Sequence, residues 1–326
     1  MELLAYILIV FNALFFGLVG DTRLNINLFF NYWLILYIFL LSIIRLNFQM
    51  DIVVYANSMA YDTINYYYIR EPVIWFGHRI IFNFIGSEYF TFIITDVILG
   101  CILFLALRNF QLPRYAFFSI LVFFPVMLGM QNIYRQWASL VFILYAISLL
   151  EYRSKMPGVY VWYSLAVLSH NVALVFLPLL FLQKKGLLSN FVLSITFIVA
   201  VVGLVIGAST KTSDISSGLP LQYLYVLCLA MLLLFFLTSD ALKIKSSAFR
   251  FYLTYVSIFV FLLFGVFLLN AVASERMSLF GLGLVYPYVI KRMHEKFGNP
   301  FFIATSVTLL GFLPMLAFGT REFIFA

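Results

Sequence analysis

The chain has 326 residues, 64% of them hydrophobic and only 10% charged, with a mean hydropathy of +1.06 and a formal charge of +7. Its long charge-free runs exclude the alternating pattern of a transmembrane barrel and leave helices as the spanning element. The positive charge would suggest nucleic acid in a soluble protein; here it reads as anchoring of cytoplasmic loops, with no nucleic-acid partner.

In chain order, the first apolar run, 3–20, predicts a retained span rather than a secretory signal. Glu2 is the only charge before Asp21, no basic region precedes the run, and no small-residue cleavage site is clear. A second span follows at 26–44. The stretch 45–88 then breaks the apolar pattern and reads as a polar outer loop region. Further spans are expected at about 89–107, 115–130, 135–150, 188–207, 220–238, 251–270, 277–290 and 300–318, most of them within charge-free runs long enough to cross a bilayer. The predicted architecture is thus an all-α, polytopic transmembrane protein of about ten spans, forming one integral-membrane domain over 1–326. Cys101 and Cys228 both fall inside predicted spans, which argues against a disulfide framework or a metal site. No nucleotide loop, cofactor signature or internal repeat is found.

Segment 158–182 decides the topology. If it crosses once, Lys184-Lys185, Lys243/Lys245/Arg250 and Lys291/Arg292/Lys296 fall outside, against the positive-inside rule. If it dips in and returns, they fall inside. Ser169-His170-Asn171 offers a turn, with about a dozen apolar residues on either side, a leg of roughly 18 Å. A re-entrant helical hairpin is the preferred reading, and a miscounted span elsewhere is the competing one. With the hairpin, seven of the eight lysines are cytoplasmic, and the outer face holds Lys211 and six arginines, Arg45, Arg70, Arg79, Arg135, Arg276 and Arg321. Arginine's planar fork suits phosphate oxygens, so this face reads as a pocket for an anionic ligand.

The block from Arg45 to Arg79 carries Asp51, Asp62, Arg70 and Glu71 as well, with Glu88 just beyond. Asp51, Tyr55 and Asp62 would share one face of a helix, and Glu71, His78 and Arg79 another. Trp75 and Tyr66 to Tyr68 supply rings suited to a sugar or to the membrane interface. The competing reading is an interfacial loop whose charges only solvate it. Further on, Asn132, Arg135, Gln136 and Ser139 form a narrow polar stripe on an apolar helix, expected to face protein or a water-filled cavity. His170 marks the turn of the broken segment, and Asn171 opens its second leg, where a helix N-terminus favours an anion. On its own, a lone histidine is as readily a hydrogen-bonded core residue. Glu275-Arg276 places charge at a late span boundary. Asp96, two turns into a span, reads as structural.

In order and spacing these elements resemble the EpsG/Wzy-type polymerases of bacterial O-antigen, capsule and exopolysaccharide. The resemblance rests on Arg45, Asp51 and Tyr55 followed by Glu71-Pro72, and on Asn132-x-x-Arg135-Gln136-x-Ala138. It continues in His170-x-x-Ala173-Leu174 with Pro178 and in Glu275-Arg276, covering about 40–290; Asn47 departs from the family's frequent glycine. The resemblance implies a glycosyltransferase of the bacterial inner membrane with its active site facing the periplasm. Donor and acceptor would be oligosaccharides on undecaprenyl pyrophosphate, with a chain-length regulator protein as a further partner. Arginines aimed at a pyrophosphate leaving group would stabilise the charge it gathers, with Arg135, Arg276 and Arg45 leading and Arg70 and Arg79 behind. For the proton acceptor, His170 comes first, followed by Asp51 and Glu71. Tyr55 and Trp75 are candidates for stacking on sugar, and His78, Asn132, Gln136, Asn171 and Glu275 for substrate contact. A lipid-linked oligosaccharide flippase would share pyrophosphate binding but should show repeat symmetry between its halves. A membrane acyltransferase using His170 and a non-catalytic envelope scaffold stand as further rival readings.

Overall fold

A computed structural model describes residues 2–20, 26–46, 51–60, 66–123, 126, 129–130, 133–152, 156–181, 195, 228–230, 232–233, 236–237 and 271–317. Among these, all regular structure is helical: α1 (Glu2–Val19), α2 (Ile26–Ile44), α3 (Asp51–Met59), α4 (Tyr66–Arg70), α5 (Pro72–Ile85), α6 (Glu88–Asn109), α7 (Arg114–Val122), α8 (Tyr134–Tyr152), α9 (Met156–Ser169), a 3₁₀ helix (Asn171–Phe181), α10 (Ala271–Lys296) and α11 (Pro300–Ala317).

The pattern of exposure is that of a protein solvated by hydrocarbon. On α1, Ala5, Ile9, Ala13 and Phe16 face the interior, yet the opposite stripe, Leu4, Ile7, Phe11, Phe15 and Leu18, is equally apolar and exposed. On α2 the exposed stripe is Leu28, Tyr32, Ile35 and Phe39. Water would penalise such contiguous apolar faces, whereas lipid matches them. Asn27–Ile44 and Glu88–Asn109 are long and apolar enough to cross a bilayer; Leu3–Val19, Tyr134–Leu150, Gly158–Ser169 and Pro300–Gly311 are shorter apolar helices. The expected count of about ten spans is therefore not reached among the described residues, and the predicted spans at 188–207, 220–238 and 251–270 lie mostly or wholly outside them.

Two expectations change. The expected span 115–130 is not one helix: α7 ends at Val122, and Phe123 adopts an extended conformation (ψ 123°). Pro125, just beyond, has no N–H to continue the ladder. Among its described residues, the polar stretch 45–88 is not an open loop but largely helical, in α3, α4 and α5. Pro72 occupies the first turn of α5, where its missing N–H costs nothing, and Gly86 ends the helix in the left-handed region (φ 71°). Ser87 then caps α6, accepting the Phe90 N–H.

α8 is the hub. Every residue from Tyr134 to Leu144 is buried, as expected of a helix surrounded on all sides. Small residues let α9 approach it closely: Ser139 donates to the Ala166 carbonyl at 2.8 Å, and Ala138 and Ala166 are fully buried. The break expected at His170 is present. Tyr163 donates to the Ala173 carbonyl at 2.8 Å, although ten residues of continuous helix would hold them about 15 Å apart. The chain therefore turns sharply between α9 and the start of the 3₁₀ helix.

Candidate functional site

Arg135, in the first turn of α8, lies where three distant segments meet. Its Nη1 donates to Glu71 Oε2, and its Nε donates to the Tyr55 hydroxyl at 2.8 Å. The other carboxylate oxygen of Glu71 accepts the backbone N–H of Asn171 at 3.2 Å. One anion thus joins a guanidinium on α8 to the first N–H of the 3₁₀ helix. Glu71 can reach both because it precedes Pro72 in a non-helical conformation (φ −137°, ψ 65°) and its side chain does not cap its own helix. Both side chains are nearly sealed, at 10% and 6% exposure for Arg135 and Glu71. Behind them the Tyr55 and Trp75 rings lie 4.7 Å apart, with the Arg135 guanidinium 5.3 Å from the centre of Trp75.

His170 stands at the break itself, 4% exposed. Its Nδ1 accepts the Val172 N–H at 3.2 Å, so the side chain caps the second donor of the 3₁₀ helix while Glu71 takes the first. Accepting at Nδ1 assigns the proton of the neutral ring to Nε2.

A second buried pair lies one residue away along α8. Tyr134 and Arg135 diverge by about 100° around the helix axis, as consecutive residues must. Tyr134 donates to Asp96 Oδ1 at 2.8 Å, and Asp96 Oδ2 accepts Arg45 Nε at 2.6 Å. Arg45 is 2% and Asp96 0% exposed. The Arg45 guanidinium sits 5.3 Å from the Phe92 ring centre and 5.4 Å from that of Tyr134, and Tyr37 donates to the Asp96 carbonyl at 3.2 Å. His78 packs against the same two rings, at 5.0 and 5.3 Å. Neither His78 nitrogen has a hydrogen-bond partner among the described residues, and burial, followed by the Arg45 charge, lowers its pKa to about 3.

The structure thus brings together Arg135, Glu71, Tyr55, Trp75, His170 and Asn171, and sets Arg45 and His78 in an adjoining inner wall. Trp75 is 4% exposed, flanked by Tyr55 and by Tyr68 at 4.5 Å, so its ring is covered by protein. Gln136 is buried next to Arg135. Arg79 donates to the Ser58 carbonyl at 3.2 Å and lies 5.0 Å from the Tyr68 ring centre, while Arg70 is exposed. Asp51 begins α3, and Glu275 and Arg276 lie in the first turns of α10; their side chains fall outside the described part, as do Asn132 and Asp62 altogether. Tyr134 was not singled out in the sequence. The signal was its hydroxyl beside Arg135 on an apolar helix, since a buried tyrosine needs a hydrogen-bond partner.

Apolar helices with hydrocarbon-compatible outer faces, closed around two buried arginine–carboxylate pairs, define a helical membrane protein with a polar centre. The chain belongs to the EpsG family, which it matches over residues 30–321, a range that takes in both pairs. No curated protein and no solved structure matches it. Membership bears out the resemblance read from the motifs and ties the chain to polysaccharide biosynthesis at a membrane.

Proposed function

We propose that the protein is a polysaccharide polymerase that moves a growing glycan from undecaprenyl pyrophosphate onto a new lipid-linked repeat unit at the periplasmic face of the inner membrane. The reading is carried by the convergence of Arg135, Tyr55, Glu71 and the Asn171 N–H on one nearly sealed centre. A buried guanidinium facing the N-terminus of a helix is suited to an anion. Such donors act most strongly where water is excluded and charge gathers on a leaving group. Arg135 is the principal pyrophosphate ligand in this reading, with Arg276 as its companion from α10. In this reading segment 158–182 is a re-entrant hairpin whose break presents His170 and Asn171 to the site; the sharp turn that brings Ala173 back to Tyr163 supports it.

The decisive experiment gives purified protein a defined lipid-linked repeat unit and follows the ladder of longer glycans. Arg135→Ala should abolish the ladder, and Arg135→Lys should fail to restore it, because a point charge does not replace a bidentate fork. Wild-type protein that produces no longer chains but moves the lipid between leaflets would refute polymerisation in favour of transport. For topology, a cysteine placed at Lys184 should resist labelling from the periplasm; labelling from that side would remove the re-entrant hairpin.

A further inference from the structure

Glu71 sits where an incoming anion would sit. Its two oxygens take up the Arg135 guanidinium and the Asn171 N–H, the same donors that the polymerase reading offers to pyrophosphate. The carboxylate and the ligand therefore compete for one cradle. Glu71 is also well placed to leave. It belongs to neither helix core, standing at the junction of α4 and α5 before Pro72, with a side chain that caps nothing of its own helix. His170, the first of the candidate bases, has its Nδ1 lone pair committed to the Val172 N–H.

We propose that Glu71 is the resident occupant of the anion site, that donor pyrophosphate displaces it, and that the released carboxylate accepts the proton of the acceptor hydroxyl. This rests on the polymerase reading and adds an order of events to it. Pyrophosphate binds the donors, and Glu71 swings off them. The acceptor oxygen then forms its bond to the anomeric carbon and gives its proton to Glu71. The anomeric carbon–oxygen bond to pyrophosphate breaks, and its electron pair leaves with the phosphate, held by Arg135. The base is freed only when the donor is in place, which couples deprotonation of the acceptor to donor binding.

The test compares wild type with Glu71→Gln, Glu71→Asp and Arg135→Ala in full-length protein in detergent micelles. Binding of inorganic pyrophosphate is measured by calorimetry, and chain extension is measured in parallel. Glu71→Gln should bind pyrophosphate about tenfold more tightly or better, because a competing anion a few ångströms away has been removed. Its kcat for chain extension should fall about a hundredfold or more, the ordinary worth of a general base. Glu71→Asp keeps the charge that Arg135 needs for folding and withdraws it by one methylene; it should show both shifts in weaker form. Unchanged or weaker pyrophosphate binding in both Glu71 variants would overturn the proposal, since Glu71 would then merely hold Arg135 in place. Tighter binding with undiminished kcat would overturn the proton-accepting role. Arg135→Ala that binds pyrophosphate as well as wild type would instead sink the underlying reading of the site.

Discussion

The Arg45–Asp96 pair makes a quantitative prediction about which arginines hold the protein together. Both groups are sealed, at 2% and 0% exposure, and Asp96 also accepts the Tyr134 hydroxyl. Deleting one partner of such a pair leaves an uncompensated buried charge and costs about 3–5 kcal/mol. Arg45→Met should fall at the low end, because Asp96 keeps its bond from Tyr134. Asp96→Leu should be worse, since it strands the Arg45 guanidinium and adds the roughly 1–3 kcal/mol of a buried hydroxyl left unpaired. The double variant removes both charges and should cost less than the sum of the single changes by about 2 kcal/mol or more, as contacting charges generally do. Reversible unfolding in detergent micelles, arranged as a double-mutant cycle, measures all three. Additivity within about 0.5 kcal/mol would refute the pairing. So would an Arg45→Met variant of wild-type stability that has lost pyrophosphate binding, which would return Arg45 to direct ligand contact.

Three further outcomes follow from the packing. His78, with its pKa lowered to about 3, stays neutral in the fold but charges in the unfolded chain near pH 6.5. Its contribution is therefore complete above pH 6.5 and lost as pH falls from there toward 3, about 2 kcal/mol by pH 5; His78→Leu should flatten that slope in pH-dependent melting. A Cβ at Gly100 would collide with the ring of Tyr37, so Gly100→Leu should displace Tyr37 and release its bond to the Asp96 carbonyl, destabilising by about 1–3 kcal/mol. Tyr163→Phe removes the hydroxyl that ties α9 to the Ala173 carbonyl. It should cost about 1 kcal/mol and speed amide exchange across 171–175 before the rest of the bundle.

The features legible in sequence were those with a local cause. The break at Ser169-His170-Asn171 could be read because apolar legs too short to cross a bilayer flank a polar turn, and the Arg135 stripe because four polar residues are spaced to share one face of an otherwise apolar helix. The ending of α7 at Val122 was missed because the run 115–130 is apolar throughout, and hydropathy outweighed the proline within it. The helical folding of 45–88 was masked by its charges, which suggest a solvated loop until their partners are known. Those partners are the part no spacing rule supplies. Arg45 and Asp96 are 51 residues apart, Glu71 and Asn171 100 apart. Only the general rule that charge at membrane depth seeks a partner pointed toward such pairs, without saying which acid meets which arginine.

That rule also explains why two similar pairs can do different work. Arg45–Asp96 is closed over by Phe92 and Tyr134, and its acid is anchored in the middle of α6. Exchanging Asp96 for a ligand would require opening the bundle, so in this reading the pair braces Tyr134 and the first turn of α8. Arg135–Glu71 shares that turn but differs in what holds the acid. Its carboxylate hangs from a junction between two helices and accepts from a chain break in a third. Moving it disturbs no helix interior, and the Arg135 guanidinium it vacates stays fixed by the braced turn behind it. A rigid guanidinium opposite a displaceable carboxylate is the arrangement expected of a site that must bind an anion, release it, and return to a neutral resting state between rounds of transfer.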